Sequence, residues 1–319
     1  MTTYLDFEKP ISELDAKIVE LEALAAKEEG PSIAEELAKL RDKSAKQLSD
    51  LYADLSPWRK TQVARHPERP HFIDYVEGLF EDYQELAGDR VYGNDEAVLG
   101  GLARFNGRSV VAIGHEKGAT TEARIRHNFG MAHPEGYRKA VRLMDLAERF
   151  NLPVLTFPDT SGAYPGKAGE ERGQAEAIAR GTERCLTLNT PIVSLIIGEG
   201  MSGGAIAIAA ANTVLMMEHA IYSVISPEGC ASILWRDPAK AKDSAEAMKI
   251  TAKDLIKLKI VDAMVKEPVG GAHRDPDKAI EDAGKALDKA LKALERLSPA
   301  ELKRQRRERF YAIGREGVA

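Results

Sequence analysis

Apolar residues recur at three- and four-residue spacing in two separate stretches near the start of the chain. The first lies within residues 10–29 and includes Ile11 and Leu14, and the second begins at about Ile33. This spacing places one apolar stripe along each stretch, which predicts two amphipathic helices divided at Gly30. We expect such helices to pack on the core or on a partner subunit.

The next stretch is interrupted by prolines and then regains a helical pattern. Three prolines and two histidines, His66 and His71, lie within residues 56–72, which predicts a connector. We expect both histidines at the surface, because no third metal ligand lies near them in the sequence. Residues 72–87 predict a further helix.

From about residue 97 the chain changes to short apolar runs that alternate with helical stretches. The first two runs flank Asn106-Gly107, a dipeptide typical of a tight β-hairpin. Strands that alternate with helices predict an α/β fold with a largely parallel sheet. The predicted strands are residues 98–105, 109–114, 154–157, 191–197, 213–217, 221–225 and 260–265, and the predicted helices are residues 134–150, 170–188, 205–211, 227–234, 255–259 and 276–297.

A glycine-rich turn at residues 198–204 leads from a buried strand into residues 205–211, which have no polar side. A helix that is apolar all round is a buried helix. Its first N–H groups have no partner within the helix and point at whatever lies above its N-terminus. Anions and developing oxyanions suit that position, so we predict the functional site here.

A second turn-rich loop, residues 158–166, follows the predicted strand at residues 154–157. Ligands of such sheets bind beyond the carboxyl ends of the strands. Two glycine-rich loops on neighbouring strands therefore favour a binding role for the turn over a role in packing alone.

The turn permits three chemistries, of which the first is dinucleotide binding. Gly198, Gly200 and Gly203 match the G-x-G-x-x-G fingerprint, and Glu218 lies 20 residues after the first glycine. The short apolar helix and the late position of the motif in the chain count against this interpretation.

A second interpretation makes Ser202 a nucleophile, because residues 200–204 match the G-x-S-x-G elbow. Asp262 and His273 follow in the order that a hydrolase triad requires. No HGGG-type oxyanion motif precedes the serine, which counts against a hydrolase.

In a third interpretation the turn is itself an oxyanion hole, made by backbone N–H groups at Gly203 and Gly204. Each such donor contributes on the order of 3 kcal/mol to transition-state stabilisation. This interpretation explains the apolar helix and needs no side-chain nucleophile. The residues of the turn alone leave all three interpretations open.

Composition and charge narrow the class of protein. Of the 319 residues, 44% are hydrophobic and 30% charged, and the net charge of −5 argues against a general nucleic-acid-binding protein. Cys185 and Cys230 form no C-x-x-C pair, so we expect neither structural zinc nor a disulfide. The N-terminus has no signal-peptide pattern and no run of 18 apolar residues occurs, so we expect a soluble cytoplasmic protein.

Several stretches resemble one family over nearly the whole chain, the carboxyltransferase alpha subunit of bacterial-type, multi-subunit acetyl-CoA carboxylase. Ser161 stands where that family commonly has proline, residues 167–169 differ from its usual Ile-Gly-Ala, and Met201 replaces a glycine. None of these departures removes Gly203 or Gly204. The stretches that carry the resemblance are residues 128–131, 134–139, 159–166, 170–174, 197–205, 222–235 and 270–273.

The resemblance implies both a fold and a reaction. The implied fold is crotonase-like, a spiral of β-β-α units over residues 91–270, with helical extensions at residues 1–90 and 271–319. The implied reaction transfers a carboxyl group from carboxybiotin to acetyl-CoA and forms malonyl-CoA for fatty-acid biosynthesis. The alpha subunit is the carboxybiotin side of this reaction.

The resemblance further implies a set of partners. These are a zinc-ribbon beta subunit in an α₂β₂ assembly, a biotin carboxyl carrier protein that presents carboxybiotin, and biotin carboxylase. It implies no covalently bound cofactor, no metal on this subunit, and no membrane or nucleic-acid partner.

The site residues that the resemblance implies lie in the two loops. The implied oxyanion-hole residues are Gly203, Gly204 and Ala205, acting through their backbone, and the implied substrate-binding residues are Gly162, Ala163 and Ser202. Four polar residues are expected either to fringe the site or to serve packing and interfaces: His115, Lys117, Arg172 and Glu199.

Overall fold

The computed structural model describes residues 3–26 and 31–315. The predicted break at Gly30 lies outside the described residues. The strands of the described part are β1 (Glu81–Glu85), β2 (Val98–Phe105), β3 (Arg108–His115), β4 (Val154–Phe157), β5 (Ile192–Ile196), β6 (Glu199–Met201), β7 (Thr213–Met217), β8 (Ile221–Ser223) and β9 (Ala263–Val265).

Helices surround these strands and also form both ends of the described chain. They are α1 (Lys9–Ala25), α2 (Pro31–Ala53), α3 (Pro57–Ala64), α4 (Phe72–Leu79), α5 (Thr121–Arg126), α6 (Pro134–Arg149), α7 (Lys167–Glu171), α8 (Gln174–Thr187), α9 (Ser202–Ala209), α10 (Pro227–Trp235), α11 (Ala241–Ala247), α12 (Ala252–Lys257), α13 (Pro276–Leu294) and α14 (Pro299–Ala312). None of the described helices is both long enough and apolar enough to cross a bilayer.

The main sheet has the strand order β1-β2-β3-β4-β5-β7-β9. The hairpin predicted at Asn106-Gly107 is present, and both residues have positive φ, at 48° and 77°. From β3 to β9 all neighbours are parallel, which confirms the predicted α/β fold. β4 and β5 are buried along their whole length, as expected for parallel strands covered on both faces.

A second, two-stranded sheet pairs β6 with β8 and stands at the carboxyl ends of the main strands. The glycine turn therefore contains a short strand before its helix. Behind it, α9 packs closely on α8, because a Cβ at Gly181 would lie 2.8 Å from the carbonyl oxygen of Ala207. This close approach fixes α9 beneath the turn.

Three sequence predictions are wrong in detail. Residues 57–64 form helix α3 and not a connector, because the Ser56 side chain caps the helix and Pro57 opens it. His66 and His71 are buried, since the ring of His66 stacks on His273 at 3.7 Å and His71 lies beside Asp159.

The other differences concern element ends. The helix predicted at residues 72–87 stops at Leu79, and the polar stretch that follows pairs as edge strand β1 on β2. The helix predicted at residues 170–188 is divided into α7 and α8 at Gly173, which adopts a φ of 81°.

Candidate active site

The two predicted loops are joined by backbone hydrogen bonds. The Thr160 N–H donates to the Glu199 carbonyl oxygen at 2.6 Å, and the Met201 N–H donates to the Thr160 carbonyl oxygen at 3.1 Å. These bonds form a parallel bridge between Thr160 and Gly200. The exit of β4 and the turn before α9 therefore share one edge, as the sequence predicts.

Helix α9 begins directly at this junction. Ser202 is exposed and has a φ of 55°, Gly203 is half-buried, and Gly204 and Ala205 are buried. The N–H groups of the first turn have no acceptor within the helix. Gly203 and Gly204 thus present backbone donors at the mouth of the site, whereas the Ala205 N–H lies four residues after the N-cap Met201, whose carbonyl oxygen accepts the first bond within the helix.

Gly204 is the point of closest approach between the loops. A Cβ there would lie 2.9 Å from both the Ala163 nitrogen and the Gly162 carbonyl carbon, and 3.0 Å from the Tyr137 hydroxyl. Any larger residue would push the first loop away. The structure therefore brings together Gly162, Ala163, Ser202, Gly203, Gly204 and Ala205, and their roles in the reaction remain predictions.

An apolar groove of about 610 Å³ opens beside the N-terminus of α9. Ser202 and Gly203 line one end, and Ile206, Tyr222 and Phe310 contribute to its walls. The sequence gives no sign of this groove, because Phe310 comes from α14, far along the chain.

A network of charged side chains lies beneath the loops. The Lys117 ammonium contacts carboxylate oxygens of Asp159 and Glu199, each at 2.8 Å. Arg65 donates to Glu199 at 2.6 Å and to Glu228 at 2.6 Å. Of the four polar residues expected near the site, Lys117 and Glu199 belong to this charged network.

These carboxylates are held ionised in spite of their burial. Burial raises the pKa of Asp159, but the positive charge of Lys117 and the hydrogen bond that its ammonium donates outweigh burial and lower that pKa. Burial likewise opposes the ionisation of Glu199, and the charges of Lys117 and Arg65 lower its pKa.

Arg172 lies in a different ion pair. Its guanidinium donates to Glu135 at 2.8 Å and stacks over the Tyr92 ring. These contacts hold Arg172 in an ion pair of its own, and its role at the site stays a prediction.

His115 is completely buried, and its ring nitrogens have no hydrogen-bond partner among the described residues. Burial lowers its pKa from 6.5 to about 4, against the opposing effect of Asp159 and Asp95. The unfolded chain therefore takes up a proton near pH 6.5 that the folded chain does not, so stability falls as the pH drops from about 6.5 towards 4.

We predict that His115→Gln weakens this pH dependence. Between pH 7 and pH 5.5 the native chain should lose roughly 1 kcal/mol more unfolding free energy than the variant. Urea denaturation of both proteins at the two pH values measures the difference. Equal losses would show that His115 takes up its proton over the same pH range in the folded chain as in the unfolded chain.

The two alternative chemistries of the turn fail on geometry. Asp262 binds Arg309 and the Val214 N–H, and His273 stacks on His66, so Ser202 makes a hydrogen bond with neither within the described chain. Glu218 pairs with Lys266 at 2.7 Å and accepts the Glu267 N–H. Ser202 therefore has no triad among the described residues, and the acidic residue that the dinucleotide fingerprint requires is already paired.

Metal ligation finds no support in the described parts of the chain. Over residues 3–26 and 31–315, no three His, Cys, Asp or Glu side chains form a group that could hold a metal ion. Cys185 and Cys230 are both free thiols.

Comparison with known proteins gives matches over the whole chain. The family described as "Acetyl co-enzyme A carboxylase carboxyltransferase-like" matches residues 4–314. Acetyl-coenzyme A carboxylase carboxyl transferase subunit alpha of Methylobacterium nodulans is 64% identical over 315 residues, covering 99% of both chains. The protein of the same name from Caulobacter vibrioides is 62% identical and covers 99% of this chain and 98% of its own.

Solved structures of lower identity share the fold. Transcarboxylase 12S, with methylmalonyl-coenzyme A and methylmalonic acid bound, has a TM-score of 0.58 at 18% identity, over 71% of this chain and 42% of that chain. A Pseudomonas malonate decarboxylase hetero-tetramer in complex with coenzyme A has a TM-score of 0.57 at 15% identity, over 73% and 91% of the two chains. These likenesses confirm the predicted crotonase-like fold.

Proposed function

Because the chain belongs to the acetyl-CoA carboxylase carboxyltransferase family, we propose that the turn at residues 198–204 is the oxyanion hole of its reaction. The chain is an alpha subunit of acetyl-CoA carboxylase carboxyl transferase, an enzyme that transfers a carboxyl group to acetyl-CoA. The proposal concerns which groups of this subunit act, and on which half of the reaction.

The proposed substrate of this subunit is carboxybiotin on a carrier protein. Its chemistry is the donation of a carboxyl group, during which negative charge grows on the ureido oxygen. The N–H groups of Gly203 and Gly204 would stabilise that oxygen, each by on the order of 3 kcal/mol. Ala205, the third residue predicted for the hole, would support them from the same turn of α9. A site made of backbone donors, with the buried α9 behind it, suits an anionic oxygen.

The observation that carries the proposal is the contact at Gly204. Because Gly204 has no side chain, the Gly162–Ala163 peptide packs so closely that a Cβ at Gly204 would lie 2.9 Å from it. The Gly162 N–H donates to the Thr160 hydroxyl at 3.0 Å. Of these two amides, the Ala163 N–H is therefore the one that would face the substrate, together with the turn.

The partners are proposed on the same basis. A zinc-ribbon beta subunit would supply the acetyl-CoA side in an α₂β₂ assembly, and biotin carboxylase would recharge the biotin carboxyl carrier protein, all in the cytoplasm. Val224, Ile233 and Leu234 support a subunit interface, because these apolar side chains are 77%, 69% and 65% exposed.

Reconstitution tests the proposed function. The chain should co-purify with a zinc-containing beta subunit, and the pair should catalyse exchange between malonyl-CoA and biocytin. The chain alone should be inactive on acetyl-CoA. A reconstituted pair without exchange activity would contradict the proposed carboxybiotin role.

We predict that Ser202→Ala lowers the exchange rate by less than tenfold. The backbone supplies the proposed donors, and the hydroxyl makes no bond to Asp262 or His273 within the described residues. Ser202→Gly is the matched variant, since it removes the hydroxyl and also relaxes the backbone at a φ of 55°. A nucleophilic serine would instead require that both variants be inactive.

A further inference from the structure

Among the described residues, Lys117 is the one cation that contacts a carboxylate of each loop. It follows β3, its side chain is largely buried, and its ammonium lies 2.8 Å from Asp159 Oδ1 and 2.8 Å from Glu199 Oε2. Its stem is enclosed, because a Cβ at Gly130 would lie 2.9 Å from Lys117 Cγ.

The two carboxylates stand at the heads of the two loops. Asp159 immediately precedes Thr160 in the first loop, and Glu199 opens β6 before Ser202. Asp159 Oδ1 also accepts the Glu199 N–H at 2.9 Å. A Cβ at Gly198 would lie 2.5 Å from the same oxygen, so the packing permits no intervening side chain.

Two buried carboxylates this close repel one another unless a cation lies between them. Arg65 neutralises the outer side of Glu199, but it is also bound to Glu228 and is half-buried. His71 is 3.8 Å from Asp159 on the other side. Lys117 is the group that contacts both carboxylates directly.

We propose that Lys117 is a positioning residue for carboxyl transfer, because its ammonium fixes the separation of the two loop heads and so aims their amides at one oxygen. The amides concerned are those of Ala163, Gly203 and Gly204, so the inference rests on the proposed function of the turn. Lys117 itself need not touch the substrate.

Lys117→Met tests this role in the reconstituted complex with the beta subunit. The malonyl-CoA/biocytin exchange should show a kcat at least 100-fold lower, with the KM for malonyl-CoA changed by less than threefold. Lys117→Arg keeps the charge and should retain more than a tenth of the native kcat. This second variant measures the effect of the charge even if the methionine variant assembles poorly.

Lys139→Met is the matched control. Lys139 is also a buried lysine with two short hydrogen bonds, to Asn94 and to the Asp95 carbonyl oxygen, each at 2.7 Å. Lys139 binds neither Asp159 nor Glu199. Lys139→Met should therefore lower the melting temperature, while kcat per assembled complex stays within threefold of native.

Rescue by a small amine separates positioning from folding. Ethylammonium added to Lys117→Ala should raise kcat at least tenfold, and it should leave the kcat of Lys139→Ala unchanged. The inference is overturned if Lys117→Met keeps kcat within threefold of native, or if Lys139→Met loses as much. An inactive native complex would instead contradict the proposed function.

Discussion

Gly204→Val should lower the rate of carboxyl transfer by about 10²–10³-fold, the effect of losing an oxyanion-hole donor. The valine Cβ would lie 2.9 Å from the Ala163 nitrogen and from the Gly162 carbonyl carbon, which are backbone atoms that cannot rotate away. The first loop must therefore move, and the amides on its two sides no longer converge. The Tyr137 hydroxyl, 3.0 Å from the same point, closes the remaining side.

Malonyl-CoA/biocytin exchange with the beta subunit measures this loss, and size-exclusion chromatography establishes that the complex forms. Gly284→Val in α13 is the control, because a Cβ there meets only the end of the Leu79 side chain, which can rotate. It should reduce stability and leave the rate per complex near native. Normal exchange by Gly204→Val would rule out the turn as the oxyanion hole.

The parts of the fold that the sequence predicts are those set by local patterns. Buried parallel strands such as β4 and β5 are continuous apolar runs, and the Asn106-Gly107 hairpin is determined by its own two residues. The apolar helix α9 and the glycines before it identify the candidate site for the same reason. The polar edge strand β1 escapes prediction because its pairing with β2, and not its own pattern, makes it a strand.

The charged network beneath the loops escapes prediction for a different reason. Arg65 and Glu199 are 134 residues apart, and no local spacing links them. Only the fold brings them to Lys117 and Asp159. Asp159 and Glu199 do lie inside the two loop motifs, so their proximity to the site was predictable, whereas their shared cation was not.

The division at residues 90 and 270 stays a prediction. Phe72 and Tyr75 belong to the expected N-terminal extension, yet they are completely buried in the same apolar core as the sheet strands. Their rings pack on Phe157 at the end of β4, with centroids 5.5 Å and 5.7 Å away. The extension therefore contributes to the core that supports the first loop.

Glu267→Gln should be the most destabilising of the substitutions considered, at about 3–5 kcal/mol, because it leaves a buried guanidinium without its counter-charge. Arg69 donates to both carboxylate oxygens of Glu267, at 2.8 Å and 2.6 Å, and the two side chains are almost fully buried. Burial raises the pKa of Glu267, but the charge and hydrogen bonds of Arg69 outweigh it and bring that pKa to about 2. The carboxylate is therefore ionised at neutral pH.

Urea denaturation at pH 7 measures the loss, and Glu281→Gln, on the exposed Lys278–Glu281–Lys285 cluster of α13, should leave the midpoint unchanged. Replacing both partners, as Arg69→Met with Glu267→Leu, should recover only part of the stability. Glu267 also accepts the N–H groups of His219 and Ala272, and these donors would remain unpaired. Full recovery would mean that the ion pair alone determines the effect.

Arg69 also donates to the carbonyl oxygen of Ile197, at 2.7 Å, immediately before the glycine turn. We therefore expect Glu267→Gln to lower the exchange rate as well, since a displaced guanidinium releases the base of the turn. The double variant lacks that donor too, so it should regain part of the stability without regaining the native rate. Recovery of both the stability and the native exchange rate would show that the Arg69–Glu267 pair does not support the turn.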